Sequence, residues 1–318
     1  MVLSIVLGLV LLFAGAEFLV RGSVAVAQRL GVSPLMIGLT LVGFGTSTPE
    51  LVTSLAAAFR ESPGIAVGNV IGSNTANILL ILGAAALVAP IACNPQALRR
   101  DAWVVLGSAI LLAICILPGA IGPVIGSGFV GLLLAYLGLT YRHERRTGDA
   151  AAQLRETGVA PADPSSHALP SALLFAAGGI AATIGGAHLL VDGAITLAAT
   201  AGVSDTIVGL TVVAVGTSLP ELSTSLVAAW RGQGDIALGN VLGSNIYNIL
   251  GILGVTAIVH PLTIPAEIVR LDIWVMLAAT ILLIVFAATG RRISRGEGAI
   301  FLGLYAVYAA WLATGAAV

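Results

Sequence analysis

Apolar residues fill this chain in long blocks, and polar residues fall in short clusters between them. An α-helix of roughly 20 apolar residues crosses the hydrocarbon of a bilayer. Breaking the chain at charges and at Pro/Gly clusters predicts ten such helices, at about 2–28, 34–59, 64–89, 101–117, 122–141, 170–200, 205–230, 235–259, 269–289 and 298–315. The one sizeable polar segment is 142–169, RHERRTGDAAAQLRETGVAPADPSSHAL, which reads as a flexible linker without the motif of a folded domain. The N-terminal run has no basic start and continues past a signal peptide's length, so it reads as a retained membrane helix.

The pattern repeats. With the chain shifted by 171 positions, residues 43–60 match 214–231 at 12 of 18 positions, and 66–83 match 237–254 at 13 of 18. Arg99, Asp101 and Trp103 return as Arg270, Asp272 and Trp274. Each half holds five predicted helices, an odd number, so the second copy enters the membrane upside down relative to the first. The expected fold is an all-α membrane protein, ten transmembrane helices in two inverted five-helix repeats, 1–141 and 170–318. Inverted repeats are an architecture of secondary transporters.

Composition agrees. The 318 residues are 58% hydrophobic and 9% charged, against about 25% charged in a soluble domain. Mean hydropathy is +1.05. A net charge of −1 gives no sign of a nucleic-acid partner. Cys93 and Cys115 lie in or near apolar segments and are expected to be free thiols. All 14 basic residues are arginine. With both termini outside, eleven of them face the cytoplasm (Arg29, Arg99, Arg100, Arg142, Arg145, Arg146, Arg155, Arg231, Arg291, Arg292, Arg295) and two, Arg60 and Arg270, face out. That orientation in the inner cell membrane makes the linker cytoplasmic.

Each half carries two polar phrases. The first is Gly-Thr-Ser-x-Pro-Glu: Gly45, Thr46, Ser47, Pro49 and Glu50, then Gly216, Thr217, Ser218, Pro220 and Glu221. The second is Gly-Asn-Val-x-Gly-Ser-Asn-x-x-Asn: Gly68, Asn69, Gly72, Ser73, Asn74 and Asn77, then Gly239, Asn240, Gly243, Ser244, Asn245 and Asn248. Proline breaks or kinks a helix, so helices 2 and 7 are expected to be broken, with freed carbonyls among hydroxyls and a carboxylate. Backbone of that kind is tolerated at membrane depth only inside protein or along a watery cavity. An ionisable residue there marks function.

Two carboxylates, hydroxyls and amide oxygens without a Cys–His cluster suit hard cations such as Ca²⁺, Mg²⁺ or Na⁺. Two glutamates balance one Ca²⁺ or two Na⁺. Two protons balance them equally, which leaves H⁺ exchange open. The glycines of the second phrase form small-xxx-small pairs that serve helix packing or site geometry, and Asn69, Asn74, Asn240 and Asn245 fit either a site or hydrogen bonding between helices. Glu17 and Arg21 are read as an ion pair or interfacial anchor. The chain lacks the HExxH, Gly-x-Ser-x-Gly and paired-aspartate signatures of intramembrane hydrolases, so no enzyme activity is expected.

These phrases resemble the two alpha repeats of the cation/calcium antiporter superfamily, in particular its prokaryotic sodium/calcium exchangers, and the resemblance spans the chain. It implies antiport of Na⁺ against Ca²⁺, with Ca²⁺/H⁺ antiport at the same glutamates as the alternative. It implies a mid-membrane site between helices 2, 3, 7 and 8, with Ca²⁺ held by Glu50, Glu221, Thr46 and Thr217. Flanking sodium sites would use Ser47, Ser73, Ser218 and Ser244 with the carbonyls of Gly43 and Ala214. Asn77 and Asn248 would complete the cage. An archaeal member has Asn and Asp at these two positions, so this chain has one acidic side chain fewer, which argues against K⁺ coupling. The resemblance implies that helices 1 and 6 slide past the rest. No cofactor, no regulatory calcium domain and a functional monomer are expected, with Ca²⁺, Na⁺ and the bilayer as partners.

Overall fold

The computed structural model describes residues 2–60, 63–93, 95–147, 169–200 and 216–313. Its helices are α1 (Val2–Leu30), α2 (Pro34–Thr46), α3 (Thr48–Phe59), α4 (Pro63–Val88), α5 (Pro95–Ile116), α6 (Pro123–Thr147), α7 (Leu169–Thr200), α8 (Leu219–Trp230), α9 (Gly234–Val259), α10 (Ile268–Gly290) and α11 (Arg295–Ala313). Among the described residues, six helices and one bent pair, α2 with α3, are long and apolar enough to cross a membrane. The predicted span 205–230 is described from residue 216 onward. Two helices run further than their apolar blocks. α5 begins at Pro95 and passes through Arg99–Asp101, and α6 continues to Thr147, inside the segment read as linker.

α4 and α9 form the centre, 78% and 83% buried over their apolar windows, against 22–33% for α1, α6, α7 and α10. These two helices carry the second phrase of each half. Both widen into a π turn, Asn77–Leu82 and Tyr247–Leu253; such turns gather at functional sites. The exposed α1 and α7 lie side by side and antiparallel, with Gly8 against Gly186, Gly15 against Gly179 and Gly22 against Ala172. A Cβ on Gly15 would stand 2.7 Å from the backbone nitrogen of Thr183, so only glycine lets the two backbones approach this closely. Glu17 of α1 pairs with Arg21, as expected, and also with Arg231 just past the end of α8, whose Nε donates to it at 2.8 Å.

Two short antiparallel ribbons, absent from the sequence reading, join the halves. β1 (Ile91–Ala92) pairs with β4 (Arg292–Ile293), Ile91 opposite Ile293. β2 (Ala120–Ile121) pairs with β3 (Leu262–Thr263), Ile121 opposite Leu262. Cys93 and Cys115 are free thiols.

Candidate functional site

The first phrase builds the same local structure in both halves. α2 and α3 meet at Ser47 with a bend of 44°. Ser47 lies at φ −81°, ψ 10°, and Ser218, before α8, at φ −90°, ψ 6°, the bridge region between helix and strand. Pro49 and Pro220 follow in the opening turns of α3 and α8, where a missing N–H costs nothing. Glu50 and Glu221 therefore fall in the first turn of their helices. There the free N–H ends favour negative charge.

The two carboxylates are buried, each 1% exposed, and each is reached by a serine from the other half. Ser47 Oγ donates to Glu221 Oε1 at 2.8 Å, and Ser218 Oγ donates to Glu50 Oε1 at 3.3 Å. Ser244 Oγ lies 3.0 Å from Ser47 Oγ and donates to the Gly43 carbonyl at 3.3 Å. Thr46 Oγ1 reaches the Val42 carbonyl at 3.0 Å, the Gly43 carbonyl at 3.4 Å and Asn240 Oδ1 at 3.2 Å. Asn69 and Asn240 hold the glutamates by their backbone. Asn69 Nδ2 donates to the Glu50 carbonyl at 3.1 Å and Ser54 Oγ at 3.0 Å; Asn240 Nδ2 donates to the Glu221 carbonyl at 3.2 Å and Ser225 Oγ at 2.9 Å. Neither role was read from the sequence beyond helix-to-helix bonding, although both asparagines recur 171 residues apart with the glutamates they hold.

Deeper along α4 and α9 the halves interlock again. Asn77 Nδ2 donates to Asn245 Oδ1, and Asn248 Nδ2 to Asn74 Oδ1, both at 3.0 Å. Asn74 Nδ2 donates to the Asn245 carbonyl and Asn245 Nδ2 to the Asn74 carbonyl, both at 3.3 Å. Ser73 is buried one turn before Asn77, and Ser244 one turn before Asn248, so each pair shares a helix face.

Among the described residues, five of these oxygens are buried without a hydrogen bond: Glu50 Oε2, Glu221 Oε2, Asn77 Oδ1, Asn248 Oδ1 and Thr217 Oγ1. Buried polar atoms left unpaired are uncommon and costly, and five acceptor oxygens so disposed suit a bound cation. Among the described residues no three His, Cys, Asp or Glu side chains gather as a metal cluster, so a cation here would meet two carboxylates and otherwise neutral oxygens, the ligand type of Ca²⁺ and Na⁺. Of the residues singled out by sequence, Gly43, Thr46, Ser47, Glu221 and Ser244 form one hydrogen-bonded group, Glu50 and Ser218 form a second, and Asn77 and Asn248 belong to the interlock. Ala214 lies outside the described residues.

In a chain with this many long apolar helices, two buried carboxylates mark a functional site of the kind that membrane transporters place on an ion pathway. The sodium/calcium exchanger protein family matches residues 1–142 and 171–314, and the chain belongs to that family, whose members are exchangers rather than enzymes. It is 39% identical over 311 residues to the putative antiporter CaxA of Alkalimonas amylolytica, covering 96% of each chain. It is 35% identical over 337 residues to the sodium/calcium exchanger MaX1 of Methanosarcina acetivorans, again with 96% of each chain covered. A solved structure of the sodium-calcium exchanger NCX_Mj superposes with a TM-score of 0.84 at 35% identity, over 97% of both chains.

Proposed function

We propose that this chain is a secondary active antiporter that exchanges Na⁺ for Ca²⁺ across the inner cell membrane by alternating access. The observation that carries the reading is the buried pair Glu50 and Glu221, each with one oxygen left without a hydrogen bond. Glu50, Glu221, Thr46 and Thr217 hold Ca²⁺. Ser47, Ser73, Ser218 and Ser244, with the carbonyls of Gly43 and Ala214, serve Na⁺, and Asn77 and Asn248 add amide oxygens. The two ions compete because the same charge of −2 balances one Ca²⁺ or two Na⁺. Occupancy by one therefore excludes the other, which is the thermodynamic core of coupled exchange.

The proposed frame has ten membrane helices in two inverted repeats, 1–141 and 170–318, acting as a monomer. Its support is the 171-residue shift, the reciprocal bonds between halves and the antiparallel course of α1 and α7. Both termini lie outside and the linker 142–169 is cytoplasmic; the arginine distribution supports this orientation. The loops joined by β1–β4 fall on one side in this orientation, and those joined by β2–β3 on the other. The exposed pair α1 and α7 moves against the centre.

A Ca²⁺/H⁺ antiporter is the second reading, favoured by one observation: Asn stands at both 77 and 248, so two protons neutralise every acidic group of the site. Radioactive calcium uptake into proteoliposomes separates the two. An outward Na⁺ gradient at clamped pH is expected to drive uptake. Uptake that follows only a pH gradient would transfer the coupling to protons and remove the sodium role of the four serines.

A further inference from the structure

Six asparagines occupy the second phrases. Asn69 and Asn240 hold glutamate backbones, which leaves two interlocked pairs, all four side chains 0–1% exposed. We propose that Asn74 and Asn245 are positioning residues for the transported cation: they fix the orientation of the Asn77 and Asn248 amides so that both side-chain oxygens face the site. The inference rests on the antiporter reading above and adds to it two residues that need not touch the ion.

An amide has an acceptor end and a donor end, and only the acceptor end can bind a cation. Nothing within a single asparagine decides which end faces which way. Here the decision starts from two backbone carbonyls, which only accept. The Asn74 carbonyl is met by Asn245 Nδ2 at 3.3 Å. Asn245 must therefore turn Oδ1 the other way, toward Asn77. Asn77 must answer with Nδ2, which it does at 3.0 Å. The oxygen of Asn77 is then directed away from the interlock and left without a partner. The same sequence runs from the Asn245 carbonyl through Asn74 to Asn248, whose Oδ1 is also unpartnered. Reversing any one amide would set two oxygens, or two N–H groups, against each other.

Asparagines serving only to join helices gain nothing by leaving two buried oxygens unpaired. Each of those oxygens lies one turn beyond Ser73 or Ser244, on the same face, and Ser244 is bonded into the group that contains Ser47 and Glu221. The interlock thus acts from behind, as an outer-shell partner acts on a metal ligand. It also couples the halves, since each free oxygen is aimed by an asparagine of the other repeat.

The test is a rescue. Asn245→Ala removes the acceptor that holds Asn77, and its NH₂ group can then swing toward the ion. Half-saturating Ca²⁺ in proteoliposome exchange is expected to rise by about tenfold or more, in the range lost with outer-shell partners. Maximal rate should change by less than about threefold, the signature of lost binding rather than lost turnover. Adding Asn77→Asp makes orientation irrelevant, because either carboxylate oxygen accepts; half-saturation is expected to return to within about threefold of the parent. If Asn245→Ala leaves half-saturation unchanged, or Asn77→Asp brings no recovery, the positioning role is overturned and Asn245 only joins helices. Should Asn245→Ala not fold, Asn74→Ala with Asn248→Asp asks the same question from the other half. Glu50→Gln is measured alongside. Its failure to transport beside an unaffected Asn245→Ala sinks the positioning role alone, and intact transport by Glu50→Gln sinks the site itself.

Discussion

Each of Glu50 and Glu221 has one oxygen held by a serine of the opposite half and one held by no hydrogen bond. A glutamine would still accept the serine hydroxyl through its one oxygen, but it would lose the charge and offer the site an NH₂ group that cannot bind a cation. Glu50→Gln and Glu221→Gln are therefore expected to cut calcium exchange by about 100-fold or more, at or beyond the upper end of outer-shell losses. The ion-free melting temperature should hold or rise, since a buried charge is costly without its partner. A fall in melting temperature together with residual exchange near the parent level would assign these side chains to folding rather than to ions. The glutamates were legible in the sequence because a carboxylate in an apolar run has few other reasons to be there. The asparagine interlock was not. Each amide finds its partner about 170 residues away, and only packing decides which end of the amide meets it.

At the scale of elements, Pro49 announced the break in the second span, and the chain bends at Ser47, two residues earlier, because the proline ring obstructs the turn before it. α5 starts ahead of its apolar block for the opposite reason. A charge marks a helix boundary only where it is solvated; Asp101 is buried with Arg100 at 2.8 and 2.9 Å and with Tyr136 at 3.0 Å, so the helix continues through them. Asp272 receives Tyr308 at 2.8 Å in the same manner, and the repeated Arg-x-Asp-x-Trp pattern gave no hint of either tyrosine. Of the second-phrase glycines, Gly239 and Gly243 of α9 settle as packing residues, whereas a Cβ on Gly72 of α4 would meet nothing within 4 Å. A Cβ on Gly243 would stand 2.3 Å from the Leu39 carbonyl, and one on Gly239 would stand 2.5 Å from that of Leu35. Gly243→Val is expected to destabilise the protein by about 1–3 kcal/mol through overpacking, read as an earlier thermal melt. An unshifted melt would mean that α2 and α9 separate freely.

For the whole molecule, membrane class and helical architecture were legible from apolar runs alone, because a bilayer requires helices to satisfy their own backbones. Orientation can be measured with a single thiol. Cys93, between α4 and α5, is buried, and burial with the nearby Asp235 charge pushes its thiol up to about 12. Only the thiolate reacts. Cys93 thus stays protonated and silent toward maleimide near neutral pH and becomes reactive only as the pH approaches that value. In a Cys115→Ser background, Arg155→Cys is expected to react with a membrane-impermeant maleimide in inside-out vesicles and not in right-side-out ones. The reverse pattern would invert the proposed topology.

The two ribbons carry a consequence for how the protein is made. β1 and β2 are synthesised well before β4 and β3, their only strand partners among the described residues. The amides of Asn74 and Asn77 likewise wait for residues 245 and 248. A ribosome that has released α1–α6 has thus delivered a piece with open strand edges and unmatched polar side chains. Synthesis of the second half is then an act of completion, and a transcript truncated after the linker would yield a substrate for membrane quality control rather than half a transporter.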